Sequence, residues 1–236
     1  MQITLARRFM GVVCAAMLCA GTAYAQEEES VPPVAAAPAA VAELPEDVMP
    51  GLDTLAKQMI LIDLDTDTIL AAKNADEKMY PSSMTKLMTL YVLFERLKEG
   101  SIKLTDTFTV SEKAWRMQGS KMFVPIGAAI PLEDLIRGIS VQSGNDACVV
   151  VAEGIAGSED QFAKLMNDTA AKLGMKNTHF MNASGWPDEN HYTTAHDLAI
   201  LGERIILDFP EFHHYSGEPE YTYNNIRQAN RNPLLS

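Results

Sequence analysis

Cysteine is scarce: of three in the chain, Cys14 and Cys19 fall within the first 25 residues, and only Cys148 lies beyond them. If those 25 residues are removed, no internal disulfide can form, and the fold must rest on its core. Basic charge is scarce too, with 19 Lys and Arg against 31 Asp and Glu, a formal net charge of −12. Residues 1–25 carry only Arg7 and Arg8 as charged groups, so their loss takes the value from −12 to −14. Such an excess excludes general attraction to nucleic acid or anionic lipid and leaves small substrates open. There is no internal repeat, and apolar runs long enough to suggest a membrane are confined to the N-terminus.

That N-terminal stretch, "MQITLARRFMGVVCAAMLCAGTAYA", sets Arg7 and Arg8 before an apolar run and ends on Ala23-Tyr24-Ala25. The pattern is that of a secretory signal peptide spanning 1–25. The run is short for a membrane span, and Met17 and Leu18 occupy the places before Cys19 where a lipoprotein needs small residues. Residues 26–50, rich in Ala, Pro and Glu, lack the apolar side chains to bury a core and read as a flexible linker. Loss of residues 1–25 alone leaves about 210 residues, enough for one large or two small domains.

In "KQMILIDLDTDTILAAKNADE" two β-rich runs flank a polar "DTDT", which predicts a hairpin. Asp63, Asp65 and Asp67 have the spacing of a calcium loop, but Thr68 replaces its glycine and Asn74 its closing glutamate, so a polar turn is the better reading. From Ser83 the periodicity becomes helical, and Gly100 is placed to end that helix. Further helices are expected at "PLEDLIRGI", "NDACVVVAEGIAG", "SEDQFAKLMNDTAAKLGM" and "TAHDLAILGERII". Pro131 suits a first-turn position in the first, and Ser158 caps the third. A hairpin with no companion strand is marginal by itself.

The chemistry concentrates in "YPSSMTKLMT". Ser83 and Lys86, three apart on a helix, share one face and can meet. A serine hydroxyl attacks weakly until a base takes its proton, and a desolvated lysine can be that base. The positive end of the helix dipole favours a neutral amine there, and exposed backbone N–H groups can stabilise an oxyanion. The bland alternative has Pro81-Ser82-Ser83 capping the helix and Lys86 as a solvated charge; even with Ser83 reactive, Ser82 is placed to cap. Downstream, "SVQSGNDACV" supplies Ser143 and Asn145, a serine and an amide two apart at a helix entrance. The chain has one S-x-x-K and one S-x-N, in the order found in penicillin-interacting enzymes. An N-cap followed by an exposed amide would look the same locally.

Together, "PSSMTKLMTLYV", "LIRGISVQSGNDACV", "LGMKNTHFMNASGW" and "IRQANRN" resemble the D-alanyl-D-alanine carboxypeptidases among the low-molecular-mass penicillin-binding proteins, serine peptidase family S11. The resemblance runs through residues 51–236 and implies the N-terminal part of a carboxypeptidase domain. The implied fold is α/β (α+β), β-lactamase/transpeptidase-like, with an α-rich cluster and an N-terminal hairpin. The implied reaction removes the terminal D-alanine from peptidoglycan pentapeptide stems through an acyl-enzyme, with β-lactams as inhibitors. Carried over by residue, Ser83 is the nucleophile and Lys86 its base; Ser143 relays a proton to the leaving amine, and Asn145 binds substrate and helps hold the lysine. No metal or organic cofactor is implied, and the export signal points to a Gram-negative periplasm.

One family feature is missing: no lysine here is followed by Thr-Gly or Ser-Gly. The resemblance puts that third motif on a sheet strand shortly beyond Ser236, which leads us to expect a truncated chain whose core is open beside the hairpin. A D,D-endopeptidase acting on cross-links, or a catalytically incomplete binding fragment, are the competing readings. A β-lactamase would need a deacylating base, for which only Glu189 in "WPDENH" offers itself, in surroundings that do not match. Cys148 in "ACVVVA" is expected to be a buried structural thiol, and His213 and His214 to lie on the surface.

Overall fold

The computed structural model describes residues 54–235; the stretches expected to be an export signal, 1–25, and a linker, 26–50, lie outside the described residues. The expected hairpin is present, with β1 (Met59–Asp63) antiparallel to β2 (Thr68–Lys73) and an irregular register between Leu61 and Ile62. Its turn is organised by the Asp63 carboxylate, which accepts hydrogen bonds from the backbone N–H groups of Asp65 and Thr66 and from the Thr66 hydroxyl. One face of the hairpin, with Leu61 and Leu70, is exposed.

Six helices follow among the described residues. A 3₁₀ turn, Ser82–Thr85, runs directly into α1 (Lys86–Lys98), which stops where Gly100 takes a left-handed φ of 73° after the C-cap Glu99. A short α2 (Glu112–Arg116) precedes α3 (Leu132–Ser140), α4 (Asn145–Ala156), α5 (Glu159–Leu173) and α6 (Ala195–Asp208). Side-chain oxygens of Ser111, Ser158 and Thr194 accept the N–H three residues on and cap α2, α5 and α6.

Helix α4 is the hub, packed against α1, α2, α3 and α5, with Ala147 to Ala152 each at zero exposure. That explains why its sequence is apolar with little periodicity: every face meets protein. Around it sit Met88, Leu93, Leu132, Ile136, Phe162, Met166 and Leu201, all fully buried.

Three local expectations are corrected. Pro131 stands at the N-cap of α3 with extended ψ 143°, because it also closes a strand, and the helix begins at Leu132. Ser82 caps nothing: it takes a left-handed φ of 47°, with its carbonyl pressed against Gly185. The hairpin is also not the chain's sole strand pair, since β3 (Thr107–Thr109) pairs with β4 (Ala129–Pro131) and β5 (Glu220–Tyr223) with β6 (Ile226–Ala229). The last pair is anchored to α3, where the Tyr221 hydroxyl donates to Asp134 at 2.7 Å.

Candidate active site

The junction of the 3₁₀ turn with α1 brings Ser83 and Lys86 together. Lys86 Nζ donates to Ser83 Oγ at 3.1 Å and to the carbonyl oxygen of Ser184 at 2.7 Å. Ser83 is exposed, whereas Lys86 retains only 4% of its accessible surface. Burial holds the Lys86 amine below the ordinary lysine range; the nearby Cys148 thiol acts weakly in the opposite sense. A lysine turned inward, partnered only by neutral oxygens and next to an exposed hydroxyl, is built to give up its proton at a lower pH than a surface lysine.

The third partner in this arrangement comes from a distant stretch that carries part of the family resemblance but to which the sequence assigned no role at the site. Three successive functional groups of α1 and its approach bind residues 181–191. Thr85 Oγ1 meets His191 Nε2 at 2.9 Å, Lys86 reaches Ser184 O, and Thr89 Oγ1 donates to Ala183 O at 2.7 Å. His191 Nδ1 accepts the Met181 N–H, so Nε2 carries the proton and donates to Thr85. Burial pushes the His191 pKa down to about 4, which keeps the imidazole neutral and this tautomer available. The turn itself is wound around Asn182, whose Oδ1 accepts from the N–H groups of Ser184, Gly185 and Trp186.

At Gly185 the turn meets the nucleophile's own segment. Its φ is 82°, and a Cβ there would lie 1.7 Å from Ser82 O. Only glycine fits both the left-handed backbone and that approach. In the sequence, Thr85 and Thr89 at i, i+4 around Lys86, with "NASG" downstream, were the available signals.

The second motif sits at the entrance to α4. Ser143 is half-buried in a left-handed conformation, φ 55°, and Asn145 is buried at the first position of the helix. Asn145 Nδ2 donates to Gln118 O at 2.8 Å and its backbone N–H to Ser120 O. The expected grip of Asn145 on Lys86 is therefore absent; the lysine is held by Ser184 instead. Among the described residues no hydrogen bond joins Ser143 or Asn145 to Ser83 or Lys86. They are linked through packing: α4 lies against α1, and Cys148, one turn after Asn145, is close enough to act on Lys86.

Next to Asn145, the fully buried Asp146 accepts from the N–H groups of Met122, Phe123 and Val124, fixing the loop that carries Gln118 and Ser120. Ser82 beside the nucleophile, Ser143 at the entrance to α4 and Phe123 in the loop bound by Asp146 are all non-glycine residues at positive φ. Sparsely populated backbone conformations of this kind gather at active sites.

The other residues weighed from sequence fall outside this chemistry. Cys148 is fully buried, and its thiol is pushed up to about 12 by that burial, the opposite of a reactive cysteine. His213 and His214 are exposed on a 3₁₀ turn. Among the described residues no group of three or more His, Cys, Asp or Glu is arranged to hold a metal ion, and no helix is long and apolar enough to cross a membrane.

Comparison with known proteins identifies relatives of the chain. The family described as D-alanyl-D-alanine carboxypeptidase, peptidase S11, matches residues 45–236. D-alanyl-D-alanine carboxypeptidase DacA of Escherichia coli is 43% identical over 195 residues, which cover 80% of this chain and 48% of that protein. Penicillin-binding protein 5 from Haemophilus influenzae superposes with a TM-score of 0.74 at 40% identity, over 81% of this chain and 55% of that one. Penicillin-binding protein D2 from Listeria monocytogenes, solved in an ampicillin-bound form, gives a TM-score of 0.70 at 25% identity, over 79% of this chain and 76% of that one. The chain spans about half the length of the curated relatives it matches. Its fold is the α/β, β-lactamase/transpeptidase-like fold, and the chain belongs to the D-alanyl-D-alanine carboxypeptidase family.

Proposed function

We propose that this chain carries the acylating half of a serine-type D-Ala-D-Ala carboxypeptidase, with residues 51–236 forming the N-terminal part of the catalytic domain. The observation that carries the reading is the 3.1 Å contact between an exposed Ser83 hydroxyl and a buried, pKa-depressed Lys86. In this mechanism the neutral Lys86 amine takes the Ser83 proton as Oγ attacks the carbonyl carbon of the penultimate D-alanine. The Ser83 backbone N–H, in the first helical turn where no intrahelical acceptor exists, faces the developing oxyanion. Lys86, through Ser143, returns the proton to the amine of the departing D-alanine, and Asn145 positions the donor peptide. Water then hydrolyses the ester at Ser83. The substrates are peptidoglycan pentapeptide stems, and β-lactams act as inhibitors by acylating the same oxygen. An exported protein working on such stems belongs in the periplasm.

The test is intact-mass analysis of the folded chain after exposure to penicillin. A one-to-one adduct is expected on the native chain and none on Ser83→Ala. An adduct that survives the substitution would remove Ser83 from the proposal.

A further inference from the structure

Glu159 is the first residue of α5, one position after the cap Ser158, where an acidic side chain ordinarily lies in solvent and complements the helix dipole. Here it is turned inward and is only 7% exposed. Its Oε1 accepts the Ala183 N–H at 3.1 Å, and its Oε2 pairs with Lys113 Nζ of α2 at 2.7 Å. The mechanism above uses neither contact. The first of them, however, ends on the turn whose carbonyls hold α1.

The hydrogen bonds of that turn divide by direction. The N–H groups of Ser184, Gly185 and Trp186 all go to Asn182 Oδ1 and close the turn on itself. The carbonyls of Ala183 and Ser184 reach out to α1, to Thr89 Oγ1 and Lys86 Nζ at 2.7 Å each. The Ala183 N–H also leaves the turn, and Glu159 is its acceptor. Asn182 gives the turn its shape, but as a member of the turn it cannot place it against α1. Glu159 can, because it stands on a separate helix whose own start is fixed by Ser158. A hydrogen bond to a carboxylate is strong, and burial strengthens it further. Lys113, half-exposed, supplies the opposite charge that lets the carboxylate stay buried.

We propose that Glu159 is a positioning residue for acylation: by holding the Ala183 amide it keeps the Ser184 carbonyl on Lys86. In the neutral amine one N–H stays on that carbonyl, and the lone pair is aimed at the Ser83 proton. The inference rests on the carboxypeptidase reading, since it concerns how the base of that reading is held. What counts is an acceptor oxygen at the reach of a glutamate, with its charge secondary.

Stopped-flow acylation by a chromogenic β-lactam tests this, with the non-covalent dissociation constant and the acylation rate constant resolved separately for the native chain and three variants. Glu159→Ala loses the acceptor. Glu159→Asp keeps the charge but stops one methylene short, and Glu159→Gln keeps the acceptor and the length without the charge. The rate constant is expected to fall about 10–10²-fold in the Ala and Asp variants, while the dissociation constant stays within about threefold of the native value. Glu159→Gln should recover the rate constant to within about threefold of native. A native rate constant in Glu159→Ala would overturn the proposal by making the contact merely structural. A Gln variant no faster than the Asp variant would overturn it too, because charge rather than reach would then govern the turn. If Glu159→Ala does not fold, the comparison of Asp with Gln decides alone. Failure of the native chain to acylate would strike the carboxypeptidase reading and this role with it, whereas normal native acylation with either contrary result would strike only the role of Glu159.

Discussion

At the scale of single residues, the decisive property is the state of one proton on Lys86. A lysine held below its ordinary pKa by burial is neutral at a lower pH than a free one, so the sign of the pH dependence follows. The rate of β-lactam acylation at Ser83 should rise as pH rises and level off above the Lys86 pKa, which lies below 10.5. Lys86→Arg keeps a cation there but cannot lose its proton, and should cut the rate by about 10²–10⁴-fold, the contribution of a positioned general base. Time-resolved mass analysis across a pH series checks both statements; a variant that acylates at the native rate would show that another group takes the proton. Ser83 and Lys86 were legible in the sequence because their relation is local, three residues apart on one helix. The Ser184 carbonyl was not legible: it lies 98 positions along the chain, and it is a backbone group that any residue could supply.

At the scale of elements, Lys86 is poised by the packing of α1 against the turn at 182–186, and Gly185 is the point where the two meet. Gly185→Ala places a methyl against Ser82 O and forces a non-glycine residue to φ 82°. The backbone penalty alone is about 1–3 kcal/mol, and the clash must displace either the turn or the nucleophile's segment. A fall in the thermal midpoint together with slower penicillin acylation is the expected pair of outcomes; unchanged acylation in a destabilised chain would show that the turn supports the fold without aligning Lys86. Helices α1 and α3 to α6 were legible in the sequence, α1 from its amphipathic period and α5 from its cap Ser158. The five-residue α2 and three-residue β3 and β4 were too short for any period to show. The β5–β6 hairpin did leave a signal, Asn224-Asn225, both at positive φ as a tight two-residue turn requires, in a stretch otherwise too short and polar to read as strand.

At the scale of the whole molecule, the contact between α1 and the 181–191 stretch also ties stability to acidity, through His191. In the folded chain this imidazole is pushed down to about 4 from the ordinary 6.5, because its burial leaves no room for a charged form that would have to donate from both nitrogens. Unfolding exposes it, and the unfolded chain takes up a proton below about 6.5 that the folded chain refuses until about 4. The imidazole's contribution is therefore fully present above 6.5 and is lost progressively as pH falls toward 4. The loss amounts to about 1–3 kcal/mol by linkage, a substantial fraction of a typical domain's stability. His191→Gln can still donate to Thr85 but does not titrate, so the difference in denaturant midpoint between native chain and variant should narrow as pH drops from 7 to 5. A constant difference across that range would mean that His191 takes up its proton as readily in the fold as in the unfolded chain, so that burial does not hold it neutral. Because Thr85 directly precedes Lys86, the same pH series followed by penicillin labelling shows where the weakening begins: if the His191 contact keeps the 181–185 carbonyls against α1, acylation should fall more steeply with acid in the native chain than in His191→Gln, beyond the fall that protonation of Lys86 imposes on both.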